Sequence, residues 1–308
     1  TAYPYNAPSP LHDILPREWH QSTVDEKRAL LRSAGEARLE QKVHVMRHSI
    51  DTHGDVQALW LALMTALGYK NNRLPFRKLA QALPMAELVD TCGTSTSEAF
   101  ATLLGVAGLV PAATDSRWST TTKHYIRSLW DDWWKCRDRY QDRALPSDIW
   151  QLTGMRPQNH PIRRIAAAAN LATRSASLVA DLRACQNEHA ETWLKSLDAC
   201  LNVEDAMRFW HTHLGLTSVL VSEHQAMLGK CRRAAIITNV VLPFLAATGS
   251  DISPLLSVLP PEEDSHPIKQ CAYALFGPDH NPVEYRHGLL QQGLIQIFHD
   301  YVVNRMPA

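Results

Sequence analysis

Apolar residues recur at intervals of three and four along most of the chain, the repeat of a helix with one buried face. No run of alternating β-branched and polar residues lasts long enough to build a sheet. The pattern predicts an all-α protein, a multi-helix, bundle-like globular fold of about ten or more helices. Leu39, Val43, Met46 and Ile50 mark one face of a helix spanning 23–50. Val56, Leu59, Trp60, Leu63 and Leu67 define the clearest helix, with Asp55 placed to cap it and Gly68 to stop it. Pro75 and Pro84 suit the first turns of two short helices, and Pro111 closes a segment rich in small residues at 97–110. A long helix over 122–142 carries Trp130, Trp133 and Trp134. A proline-rich break at 146–161 precedes a single helix from Pro161 to 185. Further helices are expected at 187–201, 203–214, 222–248 with a kink at Pro243, 264–276 and 283–304.

Pro4, Pro8, Pro10 and Pro16 make 1–22 an extended arm or connector. Two helical subdomains follow, 23–145 and 146–308, unless 23–308 forms one continuous domain.

With 308 residues, 45% of them hydrophobic, the chain can bury full cores. Lys+Arg and Asp+Glu each total 31, so no global charge steers it to a polyanion and any basic face is local. The longest apolar run, at 234–247, is interrupted by Thr238, Asn239 and Pro243 and is too short to cross a bilayer, so no membrane partner is expected. The start, TAYPYNAPSP, has neither the basic nor the apolar region of a signal peptide. The six cysteines show no C-x-x-C spacing and read as buried free thiols of a cytoplasmic protein.

Candidate chemistry concentrates in GYKNNRLPFRKLAQALP at 68–84 and GMRPQNHPIRRIAAAANL at 154–171. Each sets asparagine, proline and basic residues at a helix entrance, where free backbone N–H groups and the helix dipole favour an anion. Lys70, Asn72, Arg73, Arg77 and Lys78 in the first stretch, and Arg156, Asn159, Arg163 and Arg164 in the second, are the candidate phosphate-binding residues. A purely local reading competes: Asn71, Asn72 and Asn159 cap helices, and the arginines are locked to Asp131, Asp132 or Asp148.

Three weaker patterns remain. Trp130, Trp133, Trp134 and Tyr140, interleaved with Lys135, Arg137 and Arg139, suit either a stacking platform for single-stranded nucleic acid or an ordinary core face. Glu40, His44 and His48 share a helix face that could ligate a metal, but 15 histidines make chance pairs expected and no H-E-x-x-H occurs. His211 and His213, two residues apart, cannot share a helix face. Lys230, Arg232 and Arg233 either extend a basic face or form the solvated end of a core helix, and Asn239 is expected to be buried and hydrogen-bonded. No G-x-S-x-G, phosphate loop or dinucleotide fingerprint appears, so no catalytic residue, cofactor or metal is assigned.

Five stretches occur in order along the chain: GEARLEQKV at 35–43, ALWLALMTALGYKNNRLPFRKLAQALP at 58–84, WQLTGMRPQNHPIRRIAAAANL at 150–171, NVVLPFLAATG at 239–249 and QQGLIQIFHDY at 291–301. On these the chain resembles a bacterial family, the domain of unknown function 2851 family, which brings no established activity. The resemblance implies a preceding β-rich region whose acidic and histidine motifs are similar to those of restriction-type nucleases. It also implies a cysteine pair just beyond 299–301, where this chain reads VVNRMPA. The chain is therefore expected to be the helical C-terminal portion of such a protein or a standalone relative. The expected function is a non-catalytic module that binds a phosphate-bearing partner, nucleic acid foremost, beside a nuclease-like domain supplied elsewhere. A helical protein-interaction scaffold is the alternative, and an enzyme with a His/Asp/Arg site the third reading.

Overall fold

Among the described residues the chain is helical throughout its regular structure and has no strand. The computed structural model describes residues 14–187, 189–203, 208–216, 220–222, 225–263 and 265–304. Two compact units emerge, each drawn from separate stretches of sequence. The first combines the chain up to Arg47 with Asn187–Lys195 and the segment from Ile237 onward; the second combines His48–Gln186 with Ser196–Ile236. The sequence boundary near 146 coincides with neither unit's edge, because contiguity in sequence does not dictate which helices share a core.

The first unit opens with α1 (Arg17–Gln21) and α2 (Val24–His53), whose boundary with the second unit falls between Arg47 and His48. Thr23 and Glu26 form a reciprocal capping box at the start of α2: Thr23 N donates to Glu26 Oε2 at 2.7 Å, and Glu26 N donates to Thr23 Oγ1 at 3.3 Å. Leu15, Leu31, Ile268, Cys271, Leu275, Leu294 and Ile297 build its core. At Gly293 an added Cβ would lie 2.0 Å from the Leu31 carbonyl oxygen, so glycine is what allows two helices to approach there.

The second unit contains α3 (Asp55–Leu67), α4 (Arg73–Ala82), α5 (Met85–Cys92), α6 (Thr96–Val106), α7 (Thr120–Tyr140), α8 (Pro161–Ala172) and α9 (Ser175–Ala184). Helix α6 is buried from Ala99 to Val106 and packs against α7 and α8, the latter buried along nearly its whole length by small alanines. Later come α10 (Ala190–Cys200), α11 (Phe209–Thr212), α12 (Lys230–Ile236), α13 (Leu242–Ala247), α14 (Ser253–Leu256), α15 (His266–Phe276) and α16 (Gly288–Phe298). No helix among the described residues is long and apolar enough to cross a membrane.

Three expectations change. The helix predicted from Pro161 to 185 divides into α8 and α9 at a turn over Thr173 and Arg174. The helix expected over 222–248 begins at Lys230, and a π-helical turn, Ile237–Val241, interrupts it just ahead of Pro243. Of the helix expected at 203–214, the structure has the short α11, and 204–207 lie outside the described residues. The prolines of the expected arm at 4, 8 and 10 also lie outside them, while Arg17–Gln21 is helical rather than extended.

Asn239, on the π-helical turn, fulfils its expectation of being hydrogen-bonded but is only half-buried: it accepts from Lys42 Nζ at 2.5 Å and donates to Glu262 Oε1 at 2.9 Å. Gln292 links the same two partners, accepting from Lys42 at 2.7 Å and donating to Glu262 Oε1 at 2.6 Å. Arg38 adds donors to Gln292 and Gln296, so residues of three similar stretches, at 35–43, 239–249 and 291–301, meet in one polar network.

Candidate functional site

The site is built on a tight turn between α3 and α4. Gly68 ends α3 so close to the Asn72 carbonyl that a Cβ would lie 2.3 Å from its oxygen. Tyr69 follows in the left-handed region, φ 52°, a backbone that non-glycine residues adopt rarely. Asn72 occupies the N-cap position of α4, yet its amide does not cap the helix. It is 2% exposed and instead grips the backbone of Gln151: Nδ2 donates to the carbonyl at 3.0 Å and Oδ1 accepts from the amide at 2.9 Å. The 68–84 and 150–171 stretches are thus tied together.

Helix α8 begins as its sequence predicts, with Pro161 in the first turn. Arg163, 0% exposed, donates from Nη1 to the carbonyls of Trp210 (2.8 Å) and His213 (2.6 Å), and from Nη2 to those of Gln225 (2.9 Å) and Ala226 (3.0 Å). Carbonyls at the end of α11 carry partial negative charge without intrahelical donors, which suits them to a buried cation. The aspartate lock expected for the arginines is not formed: Asp132 accepts from Ser97 and Lys135, and Asp131 and Asp148 form no ion pair among the described residues.

Arg164, 4% exposed, donates to the Met227 carbonyl at 2.9 Å and to Asn159 Oδ1 at 2.8 Å, so Asn159 serves the arginine rather than capping the helix. Burial first, then the nearby charges of Arg232 and Arg163, pull the Arg164 pKa down to about 9. Its Nε, like Nε of Arg232 and Nδ1 of His160, is buried without a hydrogen-bond partner. Arg232 lies over the Tyr69 ring, 4.0 Å from the centroid, and Lys70 Nζ stands 5.8 Å from the same centroid.

The nine candidate residues therefore separate by environment. Asn72, Arg163 and Arg164 are buried and Asn159 is half-buried, with their polar groups bonded as described. Lys70, Arg73, Arg77, Lys78 and Arg156 are exposed and form no ion pair among the described residues. The sequence reading left out Tyr69, which carries no motif, and His160. It left Arg232 open as one member of a basic run. That run divides: Arg233 is bonded to both Asp198 oxygens at 2.8 Å, while Arg232 faces Tyr69.

The weaker patterns resolve mostly into packing. Trp130 donates from Nε1 to the Pro111 carbonyl at 2.7 Å, Trp133 lies against Gly105, and Tyr140 is buried. Trp134 is 60% exposed under Arg137, whose guanidinium is 4.4 Å from its ring centroid. Glu40, His44 and His48 are exposed, and no group of three potential metal ligands forms among the described residues. His213 is buried, bonded through Nδ1 to the Phe209 carbonyl at 2.8 Å. The cysteines differ from the uniform burial expected: Cys92 and Cys271 are buried, Cys231 is exposed, and Cys185 and Cys200 bring their sulfurs to 3.4 Å.

A model of the family described as a protein of unknown function, DUF2851, matches residues 17–254. The chain belongs to the DUF2851 family. No curated protein and no solved structure matches it. In this DUF2851 member the matched region holds both the Tyr69–Arg77 turn and the Arg163–Arg164 pair, while the 291–301 stretch lies beyond it.

Proposed function

We propose that this DUF2851 member is a helical module that binds a phosphate-bearing partner, nucleic acid foremost, through the basic entrance of α4. The observation that carries the reading is the set of exposed cations Lys70, Arg73, Arg77 and Lys78, none paired with a carboxylate among the described residues. Elsewhere in the same unit some exposed cations are paired, Lys135 with Glu98 and Asp132, Arg143 with Glu87, while Arg127 and Lys230 form no ion pair among the described residues. Arg73 and Arg77, one helical turn apart, fall on one side of α4, with the 63% exposed Leu74 beside them. Arg156 is exposed on the segment that Asn72 tethers to this turn. Such a face supplies backbone-phosphate contacts without base readout, so binding should be sequence-tolerant and salt-sensitive. Service to a nuclease-like domain follows from the family resemblance alone.

A protein-interaction scaffold is the second reading, favoured by one feature. Val56, Met85, Ala86, Val89 and Val179 line an apolar groove of about 490 Å³ with Asp90 and Arg183 beside them. Fluorescence anisotropy with labelled single- and double-stranded DNA and RNA at low salt tests the choice. Micromolar binding supports the phosphate reading; no binding to any of the four leaves the scaffold.

A further inference from the structure

An arginine inside a protein ordinarily meets a carboxylate or spends its donors on carbonyls. Arg233 does both, holding Asp198 by two bonds of 2.8 Å and the Leu228 carbonyl at 2.7 Å. Its neighbour Arg232 does neither. The Arg232 Nε is buried without a partner, and its terminal nitrogens form no hydrogen bond or ion pair among the described residues. Among the described residues its side-chain partner is the Tyr69 ring, whose centroid lies 4.0 Å from the guanidinium carbon. Stacking occupies the face of a guanidinium and leaves its edge, where the N–H donors point, uncommitted.

The surroundings are positive. Arg164, more than nine-tenths buried and with its own Nε unpartnered, feels the charge of Arg232, and the Lys70 ammonium stands over the same tyrosine ring. No carboxylate pairs with Arg164, Arg232 or Lys70 among the described residues. Like charges partly removed from water and lacking a counter-charge are a cost that an anion removes. A phosphate group suits the arrangement because its oxygens accept a two-pronged contact from the guanidinium edge while its charge answers a second cation.

We infer that Arg232, laid on Tyr69 beside Arg164, seats one phosphate group of the ligand, which rests on the phosphate-binding reading and gives it a defined contact point. The ring fixes the fork before the ligand arrives, so little side-chain freedom is lost on binding. Arg73 and Arg77 then supply the diffuse, exposed part of the same basic surface.

The test compares the wild-type chain with Arg232→Gln, Arg232→Lys and a charge-matched control, Arg32→Gln, whose side chain is exposed and unpaired among the described residues. Two readouts are taken: the rise in Tm produced by inorganic phosphate over chloride at equal ionic strength, and affinity for a labelled oligonucleotide. Circular dichroism verifies that each variant is folded. The expected result is a phosphate-dependent rise in wild type and Arg32→Gln, with affinity for phosphate at least about tenfold weaker in both Arg232 variants, since lysine keeps the charge but not the fork. An equal rise in wild type and both Arg232 variants, or none in wild type, overturns the inference. Oligonucleotide binding undiminished in both Arg232 variants overturns it while leaving the proposed function standing. Phosphate binding that depends on Arg232, without oligonucleotide binding, upholds it and removes nucleic acid as the partner.

Discussion

Asn72 and Gln151, 79 positions apart, are joined by two hydrogen bonds in which one side-chain amide satisfies both backbone groups of the partner. The Asn72 amide is buried, so its groups would bear a desolvation cost if left unmatched, while Gln151 is exposed. It fixes the turn that presents Tyr69, Lys70 and Arg73, linking a packing feature to the proposed binding surface.

Asn72→Asp retains the shape and the acceptor but sets a carboxylate oxygen against the Gln151 carbonyl. The expected loss is about 1–3 kcal/mol, read as a lower urea midpoint at unchanged slope. An unaltered midpoint would show that the bond pair contributes nothing to stability.

Arg163 behaves as a structural cation and Arg77 as a surface one. Arg163→Lys leaves several of the four carbonyls without a donor, because an ammonium cannot span the positions a planar fork reaches, and should cost more than about 3 kcal/mol. Arg77→Ala should change stability by less than about 0.5 kcal/mol. Equal effects in chemical denaturation would contradict the separation of the two residues by role.

At Gly105 an added Cβ would lie 2.2 Å from the Trp133 ring. Gly105→Ala is expected to destabilise by about 1–3 kcal/mol through overpacking. Adding Trp133→Leu should recover part of that loss, so the double variant is less destabilised than the sum of the singles. Strict additivity in a double-mutant cycle would mean that the contact is not the cause.

Burial in the first unit's core pushes the Cys271 thiol up to about 12 from 9.0. Between these values the unfolded thiol has lost its proton and the folded one has kept it, so the group's contribution to stability falls as pH rises above 9.0. By pH 10.5 the deficit should approach about 2 kcal/mol relative to neutral pH. Denaturation of wild type and Cys271→Ala at both pH values measures it: the variant should lose less stability on the shift, and parallel losses would count against the assignment.

The helices were legible because their apolar faces are determined locally. Leu59, Trp60, Leu63 and Leu67 are all buried on α3, as their spacing requires. What escaped was set by distant partners. Nothing near Arg163 announces that its donors will find carbonyls at 210, 213, 225 and 226, so nearby aspartates were the natural but mistaken partners. Of the candidate site, the two basic stretches and their helix entrances were visible, while the stacking of Arg232 on Tyr69 required the fold.

The central claim is that the exposed entrance of α4 contacts phosphates, and the salt dependence of affinity for a short DNA duplex tests it most directly. Wild type and Arg73→Ala/Arg77→Ala are to be titrated across a potassium chloride series. Loss of two phosphate contacts should reduce the magnitude of the slope of log K against log salt by about 1.8, with weaker binding at every salt concentration. Duplex binding with identical slopes in the two proteins, or no binding by wild type at low salt, would contradict the account.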